Sequence, residues 1–325
     1  MSGPCLKIEA DKLTKQYGKV AAIRDVSFTV SDGEIVGFLG PNGSGKSTTL
    51  RILCGLIPAS SGVAKICGIP VASHPEEIKS RIGYMTENNP LPADMRVIEY
   101  LDFRSRLKGV RGKDRKKKIE EVMALCELNR THRRQIIGTL SKGYRQRVGI
   151  ADAILGEPEV IIMDEPTIGL DPHQVLAIRE LIDTLRGNMS VVISSHILAE
   201  VELSCDRIII INQGRIVADG NADQLRNEFA NSAKYILSVA GDFTGLLASI
   251  KELDSCFHDF TQKEIRKDGS WEIVFESSSR EDLSGRIMRT ISRYPEARVR
   301  SLVRSESSLE DIFLAATKRS WDETL

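Results

Sequence analysis

The sequence predicts a largely parallel α/β core followed by a small α+β domain of ferredoxin-like topology. Apolar, strand-sized runs alternate with helical patterns up to about residue 225, which indicates a parallel sheet covered by helices. A glycine-rich turn at 40–45 joins one apolar run to a helix. After residue 230 the order becomes strand, helix, two strands, helix and strand. We therefore predict two domains, residues 1–230 and 231–325.

The core elements follow from their periodicity. Residues 5–10 and 20–40 alternate and then become apolar, with turn signals at 17–19 and 31–33. From about residue 75 to 156 the pattern is helical, which predicts a helical insertion. Within it, helices are predicted over Val97–Leu107 and Ile119–Leu128. Beyond it, strands are predicted at Val160–Met163, Val191–Ser194 and Arg207–Ile211, with a helix over His173–Arg186.

The second domain has its own pattern of short elements and a hairpin signal, Lys267-Asp268-Gly269. Strands are predicted at Tyr235–Val239, Cys256–Ile265, Trp271–Glu276 and Ala297–Val303. Helices are predicted at Thr244–Leu253, Arg280–Arg293 and Ser308–Arg319.

Composition excludes several classes of function. The 45 basic residues balance the 45 acidic ones, so no global attraction to nucleic acid is expected. The six cysteines are scattered without a C-x-x-C pair, which argues against disulfide or zinc frameworks and fits a reduced cytosol. No run is long enough to span a membrane, and residues 1–7 lack the apolar stretch of a signal peptide. A role at a membrane would need another polypeptide to supply the span.

Residues 40–48 fill the phosphate-loop template G-x-x-x-x-G-K-[ST], between a predicted buried strand at 34–39 and a predicted helix from 48. Its glycines allow backbone N–H groups to converge on one anion, next to the positive end of the helix dipole. Lys46 can reach the β- and γ-phosphates, and the Ser47 hydroxyl can ligate Mg²⁺. The candidate nucleotide-binding residues here are Gly40, Pro41, Asn42, Gly43, Ser44, Gly45, Lys46, Ser47 and Thr48.

Two further segments carry chemistry. The apolar strand 160–163 ends in Asp164, a candidate Mg²⁺ ligand, and Glu165, which can orient or deprotonate a water that attacks the γ-phosphate. Ser141 and Gly143 precede a helix, where they form either a second anion site or, with Ser141 alone, an ordinary helix cap.

The ordered motifs resemble those of the ATP-binding cassette (ABC) ATPases over roughly residues 5–225. Gly40–Ser47 resembles Walker A, Leu140–Gln146 the family signature, Met163–Pro166 Walker B, Gly169–Pro172 the D-loop and Ser195-His196 the switch histidine. The resemblance implies a head-to-tail dimer in which ATP lies between the phosphate loop of one subunit and the signature of the other.

Residue roles follow from the resemblance. It implies that Ser141 and Gly143 contact the γ-phosphate of ATP bound to the partner subunit, and that His196 contacts it within its own subunit. Asp171 would communicate between the two sites, and Tyr17 occupies the place of the aromatic that stacks on adenine. The implied catalytic residues are Glu165, His196 and Lys46.

Two departures from the family pattern stand out. The signature has Lys142 where a glycine is usual and Tyr144 where a glutamine is usual, but it retains Gly143. The family's Q-loop glutamine corresponds to Glu87, whose carboxylate can ligate Mg²⁺ but cannot donate a hydrogen bond as an amide does. The expected Mg²⁺ ligands are therefore Ser47, Asp164 and Glu87.

Glu87, the signature lysine and the segment 308–314 resemble the exporter branch of bacterial ABC ATPases, in which the ATPase pairs with a separate transmembrane permease. We expect a homodimer, or a heterodimer with a second ABC ATPase, on the cytoplasmic face of the membrane. Residues 88–101 are the expected permease surface, and the basic run 111–118 is interpreted as a solvated helix face. The alternatives are a non-transport ABC ATPase and a regulatory nucleotide switch.

Overall fold

A computed structural model of the chain describes residues 5–128, 130–229, 233–253, 257–266, 270–277, 279, 281–305, 310 and 312–313. It divides into two compact units, Met1–Asn221 and Ala222–Leu325. The domain limit at residue 230 stays a prediction from the sequence pattern.

The first unit contains two sheets. Its strands are β1 (Leu6–Tyr17), β2 (Val20–Ser31), β3 (Ile35–Leu39), β4 (Ser61–Ile66), β5 (Ile69–Pro70), β6 (Ile82–Met85), β7 (Val160–Asp164), β8 (Ser190–Ser195), β9 (Arg207–Asn212) and β10 (Arg215–Gly220). Its helices are α1 (Lys46–Leu53), α2 (Pro75–Arg81), α3 (Val97–Leu107), α4 (Gly112–Leu125), α5 (Arg130–Arg133), α6 (Lys142–Ile154), α7 (Pro172–Leu185) and α8 (Leu198–Ser204).

The larger sheet has the order β10-β9-β3-β8-β7-β6, and all its pairings are parallel except β10 with β9. Every residue of β3, β7 and β8 is buried, as expected for strands covered on both faces. Because the carboxyl ends of parallel strands meet at one edge, the segments after β3, β6, β7 and β8 converge there. The predicted α/β fold is confirmed.

The structure corrects the helical stretch predicted over about 75–156. Residues 82–85 form β6, which pairs in parallel with β7 at the edge of the sheet. The strand is only 4 residues long and contains Gly83, so its periodicity is too weak to recognise. Gly83 is needed for packing, because a Cβ built there would lie 2.3 Å from the Ala153 carbonyl oxygen of α6. Strands β4, β5 and β10 also have no counterpart among the predicted elements.

The second unit begins with α9 (Ala222–Phe229) and folds around a four-stranded antiparallel sheet of order β12-β13-β11-β14. The elements are β11 (Ala233–Gly241), α10 (Thr244–Leu253), β12 (Phe257–Arg266), β13 (Ser270–Ser277), α11 (Ser284–Ile291) and β14 (Ala297–Ser305). This is the strand order of the predicted ferredoxin-like fold. The predicted turn at 267–269 and most of the helix predicted at 308–319 lie outside the described residues.

A buried carboxylate joins α3 to α6. Asp152 of α6 is 8% exposed and accepts hydrogen bonds from Tyr100 Oη (3.1 Å) and Arg104 Nε (2.8 Å). Lys108 Nζ lies 3.7 Å from the same carboxylate, and burial lowers the pKa of this lysine. Since Tyr100, Arg104 and Lys108 are spaced four residues apart, one face of α3, continued by its C-cap residue Lys108, supplies all three groups.

A second ionic cluster lies beside the start of β7. Glu159 accepts hydrogen bonds from Lys7 Nζ (2.7 Å) and Arg81 Nη1 (2.6 Å). The hydrogen bond from Lys7 is the largest cause that lowers the pKa of Glu159 below its ordinary value of 4.5. This cluster ties the end of α2 and the start of β1 to the loop before β7.

Candidate nucleotide-binding site

The phosphate loop joins β3 to α1 in a tightly packed turn. Gly43 and Gly45 have positive φ angles of 79° and 109°, which favour glycine. A Cβ built on Gly45 would lie 2.6 Å from Ile23 Cγ2, so packing also excludes a side chain there. Helix α1 begins at Lys46, directly after this turn, and its free N–H groups and dipole favour an anion.

A pocket of about 490 Å³ lies at this turn. The loop and the start of α1 line it, and Glu87 after β6 and Glu165 after β7 close it. The full lining is Ala22, Pro41, Asn42, Gly43, Gly45, Lys46, Ser47, Thr48, Glu87, Glu165 and Ile168. Ser44 Oγ is buried beside this lining and makes no hydrogen bond within the described part of the chain. Such a hydroxyl fits a site built for an oxygen-rich anion.

Glu165 is the electrostatic centre of the pocket. Its carboxylate forms an ion pair with Lys46 Nζ at 3.5 Å and lies 2.8 Å from His196 Nδ1. Glu165 and Lys46 are 7% and 6% exposed, so water screens their attraction weakly. Lys46 Nζ also donates to the Gly40 carbonyl oxygen at 2.7 Å. The structure therefore brings Lys46, Glu165 and His196, the three predicted catalytic residues, into one connected group.

Ser194 holds the two carboxylates at the end of β7. Its hydroxyl donates to Asp164 Oδ1 (2.5 Å) and accepts from the Glu165 backbone N–H (3.0 Å). Glu165 has a φ of 52°, an unusual value for a residue with a side chain, and this turn directs it toward the pocket. Ser194 was not among the predicted site residues, because a serine in a buried strand has no distinctive sequence signal.

The structure separates the other predicted residues from this pocket. Ser141 is the N-cap of α6 and accepts from the Tyr144 N–H (3.4 Å), and Asp171 is the N-cap of α7 and accepts from the Gln174 N–H (3.0 Å). Neither residue lines the pocket, and neither do Gly143 and Tyr17. Tyr17 is 52% exposed at the end of β1.

Ala22 and Ile168 line the pocket but were not predicted, because neither carries a polar group. Ala22 lies in β2, next to the phosphate loop, and Ile168 follows the Walker B segment along the chain. Only the three-dimensional fold reveals their position.

The oxygen ligands near the pocket fit Mg²⁺. Ser47, Asp164 and Glu87 offer a hydroxyl and two carboxylates, which are hard ligands of the kind this ion prefers. No group of three or more His, Cys, Asp or Glu with the geometry of a metal site occurs among the described residues. Mg²⁺ is commonly held by one or two carboxylates together with substrate phosphates, and these three residues offer donors of that kind.

The sheet order, the phosphate loop at the end of β3 and the acidic end of β7 define a P-loop nucleotide-hydrolysing cassette. The sequence profile of the ABC transporter family matches residues 23–168. The linearmycin resistance ATP-binding protein LnrL of Bacillus subtilis is 31% identical over 314 residues, which cover 96% of this chain and 99% of LnrL. The bacitracin transport ATP-binding protein BcrA of Bacillus licheniformis is 32% identical over 309 residues, covering 94% and 96%.

Solved structures agree with this assignment. The dimeric post-hydrolysis structure of the cassette MJ0796 with ADP and Pi has a TM-score of 0.60 and 26% identity, covering 66% of this chain and 98% of that one. The chain belongs to the ABC transporter ATP-binding proteins. It is an ATP-binding and ATP-hydrolysing subunit that drives transport, and cassettes of this family dimerise and work with membrane permeases. No helix in the described ranges is both long and apolar enough to cross a membrane.

Proposed function

We propose that this chain powers an exporter through a separate transmembrane permease. The observation that carries this proposal is the match to LnrL and BcrA over nearly the whole of all three chains. Their printed names refer to linearmycin resistance and bacitracin transport. The same match includes the second unit, so the likeness extends beyond the cassette that most family members share.

We propose that residues 40–48 bind the ATP phosphates, that Tyr17 stacks on adenine, and that Ser47, Asp164 and Glu87 hold Mg²⁺. The ion would neutralise charge on the phosphates when bound. The Lys46 ammonium contacts the Glu165 carboxylate, and we propose that it contacts a phosphate oxygen instead when ATP binds. Its distance of 3.5 Å to Glu165 fits a contact that a stronger anion replaces.

Glu165 is the proposed general base. Its carboxylate lines the pocket, and its position is fixed by the Ser194 hydroxyl at its backbone and by His196 at its side chain. A carboxylate held in this way can accept a proton from a water that attacks the γ-phosphate. His196, 37% exposed in its side chain, is the proposed γ-phosphate contact at the rim of the site.

The separation of Ser141, Gly143 and Asp171 from the pocket supports their proposed role in trans. In a head-to-tail dimer these residues complete the ATP site of the partner subunit, and the partner's copies complete this one. A homodimer is the simplest such assembly, and a heterodimer with a second ABC ATPase has the same geometry. Nucleic acid is not an expected partner, because the net charge is zero.

The second candidate function is a regulatory nucleotide switch. Glu87 leaves it open, because its carboxylate stands where the family has an amide that can donate a hydrogen bond. Glu165 argues against it, because a switch that hardly hydrolyses ATP does not need a positioned base. A non-transport ABC ATPase would typically contain two cassettes or a long coiled coil, and the sequence has one phosphate loop and no sustained heptads.

We propose a cassette domain at 1–230 and an accessory domain at 231–325 that stabilises the dimer or the permease complex. The division into compact units near residue 221 supports a boundary in this region. We place the protein on the cytoplasmic face of the membrane through its permease. Removal of residues 231–325 should weaken dimer formation or permease binding, and unchanged binding of both would contradict this role.

The test is a pull-down of tagged Glu165→Gln protein from its native membranes with ATP, followed by mass spectrometry. The variant should retain ATP and keep the dimer closed, because the base is missing. A co-purifying multi-spanning permease supports the proposal, provided that the Lys46→Ala, Glu165→Gln control captures less of it. Recovery of ribosomes or DNA-bound proteins instead would contradict the transport assignment.

A further inference from the structure

The signature turn (residues 140–144) and the D-loop (residues 169–172) contact each other within one subunit. Helix α6 begins at Lys142, directly after its cap, and α7 begins at Pro172, directly after its cap. Each motif thus leads into a helix. Gly169 of the D-loop contacts a side chain of the signature turn, and Gly143 of the signature turn contacts a side chain in the first turn of α7. The two contacts are reciprocal, because each motif supplies one of the two glycines.

The first contact is made by Lys142. A Cβ built on Gly169 would lie 2.5 Å from Lys142 Nζ, 3.6 Å from its Cε and 3.9 Å from its Cδ. The end of this side chain therefore occupies the space beside Gly169, whose φ of 68° also favours glycine. The turn underneath is hydrogen-bonded, with the Leu170 N–H donating to the Thr167 carbonyl oxygen at 3.1 Å.

The second contact is made by Gln174 in the first turn of α7. A Cβ built on Gly143 would lie 2.8 Å from both Cδ and Oε1 of Gln174, and 3.1 Å from its Cγ. The backbone N–H of Gln174 donates to Asp171 Oδ1 at 3.0 Å. Gln174 is therefore fixed to the D-loop by its backbone while its carboxamide packs on buried Gly143 of the signature.

We propose that Lys142 and Gln174 are positioning residues that clamp the signature turn to the D-loop of the same subunit. The proposal rests on the proposed function, in which both motifs face the partner subunit. Two surface turns that are fixed to each other before association lose less conformational freedom when the dimer closes. The glycine usual at position 142 has no side chain to make this contact, so the lysine supplies a clamp that the common signature lacks.

The clamp predicts a specific effect on ATP-dependent dimer formation. In the Glu165→Gln background, Lys142→Ala removes the side-chain end that lies beside Gly169, and Gln174→Ala removes the carboxamide that packs on Gly143. We expect each to raise the protein concentration for half-maximal dimer formation about fivefold or more, measured by sedimentation with ATP. Lys142→Met, which keeps the side-chain length without the charge, should retain dimer formation. The matched control is Lys117→Ala, which truncates a lysine that is 80% exposed on α4 and should leave dimerisation unchanged.

Two measurements distinguish the clamp from an effect of the Lys142 charge on the partner's nucleotide. They are the ATP affinity of the monomer and amide hydrogen exchange. ATP affinity of the monomer should stay within twofold in all variants, because neither side chain lines the pocket. Hydrogen exchange without nucleotide should accelerate at the Leu170 and Ile168 amides in Lys142→Ala, since both are hydrogen-bonded in the turn that leads into the D-loop. The control variant should not change this exchange.

The possible results distinguish a failure of the proposed function from a failure of the clamp. If the Glu165→Gln parent itself fails to dimerise with ATP, the proposed function is wrong. If the parent dimerises and both clamp variants dimerise equally well, the clamp is wrong. If dimerisation weakens without faster exchange in the D-loop, Lys142 acts by its charge on the partner's nucleotide, and the clamp is again wrong.

Discussion

Replacing Glu165 with glutamine should tighten ATP binding as well as stop hydrolysis. The carboxylate forms an ion pair with Lys46 at 3.5 Å, and both side chains are at most 7% exposed. ATP must therefore compete with Glu165 for the Lys46 ammonium. Glutamine keeps the shape of the side chain and removes the competing charge.

The size of the effect follows from the distance and the burial. Two unit charges about 4 Å apart attract each other by roughly 4 kcal/mol at an effective dielectric constant of about 20. Desolvation of both groups offsets much of this attraction. If about a third remains, the loss of competition amounts to ~1.4 kcal/mol, or about a tenfold lower dissociation constant for ATP.

The assay is titration calorimetry of ATP binding to monomeric protein without Mg²⁺, so that neither hydrolysis nor metal binding contributes. Glu87→Gln is the matched control, because it removes a carboxylate from the same pocket, and Glu87 forms no ion pair with Lys46. We expect a clearly smaller gain in that variant. Competition between Glu165 and ATP for Lys46 is refuted if Glu165→Gln binds ATP no more tightly than the native chain, or if Glu87→Gln gains equal affinity.

Three further predictions concern supporting residues. Ser194→Ala removes the hydroxyl that donates to Asp164 and should weaken Mg²⁺ binding about tenfold, measured from the Mg²⁺ dependence of ATP hydrolysis and from Mn²⁺ binding by electron paramagnetic resonance. Asp152→Ala leaves the partly buried cations Arg104 and Lys108 without their buried carboxylate and should lower the free energy of unfolding by about 3 kcal/mol in urea titrations. The lowered pKa of Glu159 means that its contribution to stability is present above pH 4.5 and lost as pH falls through the folded-state pKa. The stability difference between the native chain and Glu159→Gln should therefore shrink as pH decreases below 4.5.

Each of these predictions has a control. For Ser194→Ala, an unchanged urea midpoint separates metal affinity from folding, and unaltered Mg²⁺ dependence would contradict the prediction. For Asp152→Ala, Asp102→Ala removes a partly exposed carboxylate of α3 and should cost less than about 1 kcal/mol, so equal losses would refute the argument from burial. For Glu159→Gln, a stability difference that stays constant from pH 6 to 3 would refute it.

The sequence predicts most of the core because its motifs are local. The phosphate loop occupies nine consecutive residues between a buried strand and a helix, so its place at the end of β3 follows directly. The same holds for Asp164 and Glu165 at the end of β7. Their convergence follows from parallel strand order, which the alternation of strands and helices predicts.

Other features depend on contacts that a linear pattern does not contain. β6 is too short for its sequence pattern to indicate a strand inside a region with helical periodicity. Its position beside β7 is set by tertiary pairing. Ser194 acts on Asp164 from a strand 30 positions away along the chain. The contact of Lys142 with Gly169 likewise joins two turns that only the packing of α6 and α7 brings together.

The most direct test of the account mixes two inactive variants, Lys46→Ala and Ser141→Arg. In a head-to-tail dimer, each ATP site takes Lys46 from one subunit and Ser141 from the other. A mixed dimer therefore contains one site with both changes and one intact site. The account predicts that ATP hydrolysis reappears when the two purified variants are combined. Hydrolysis that stays at the level of the separate variants would contradict it.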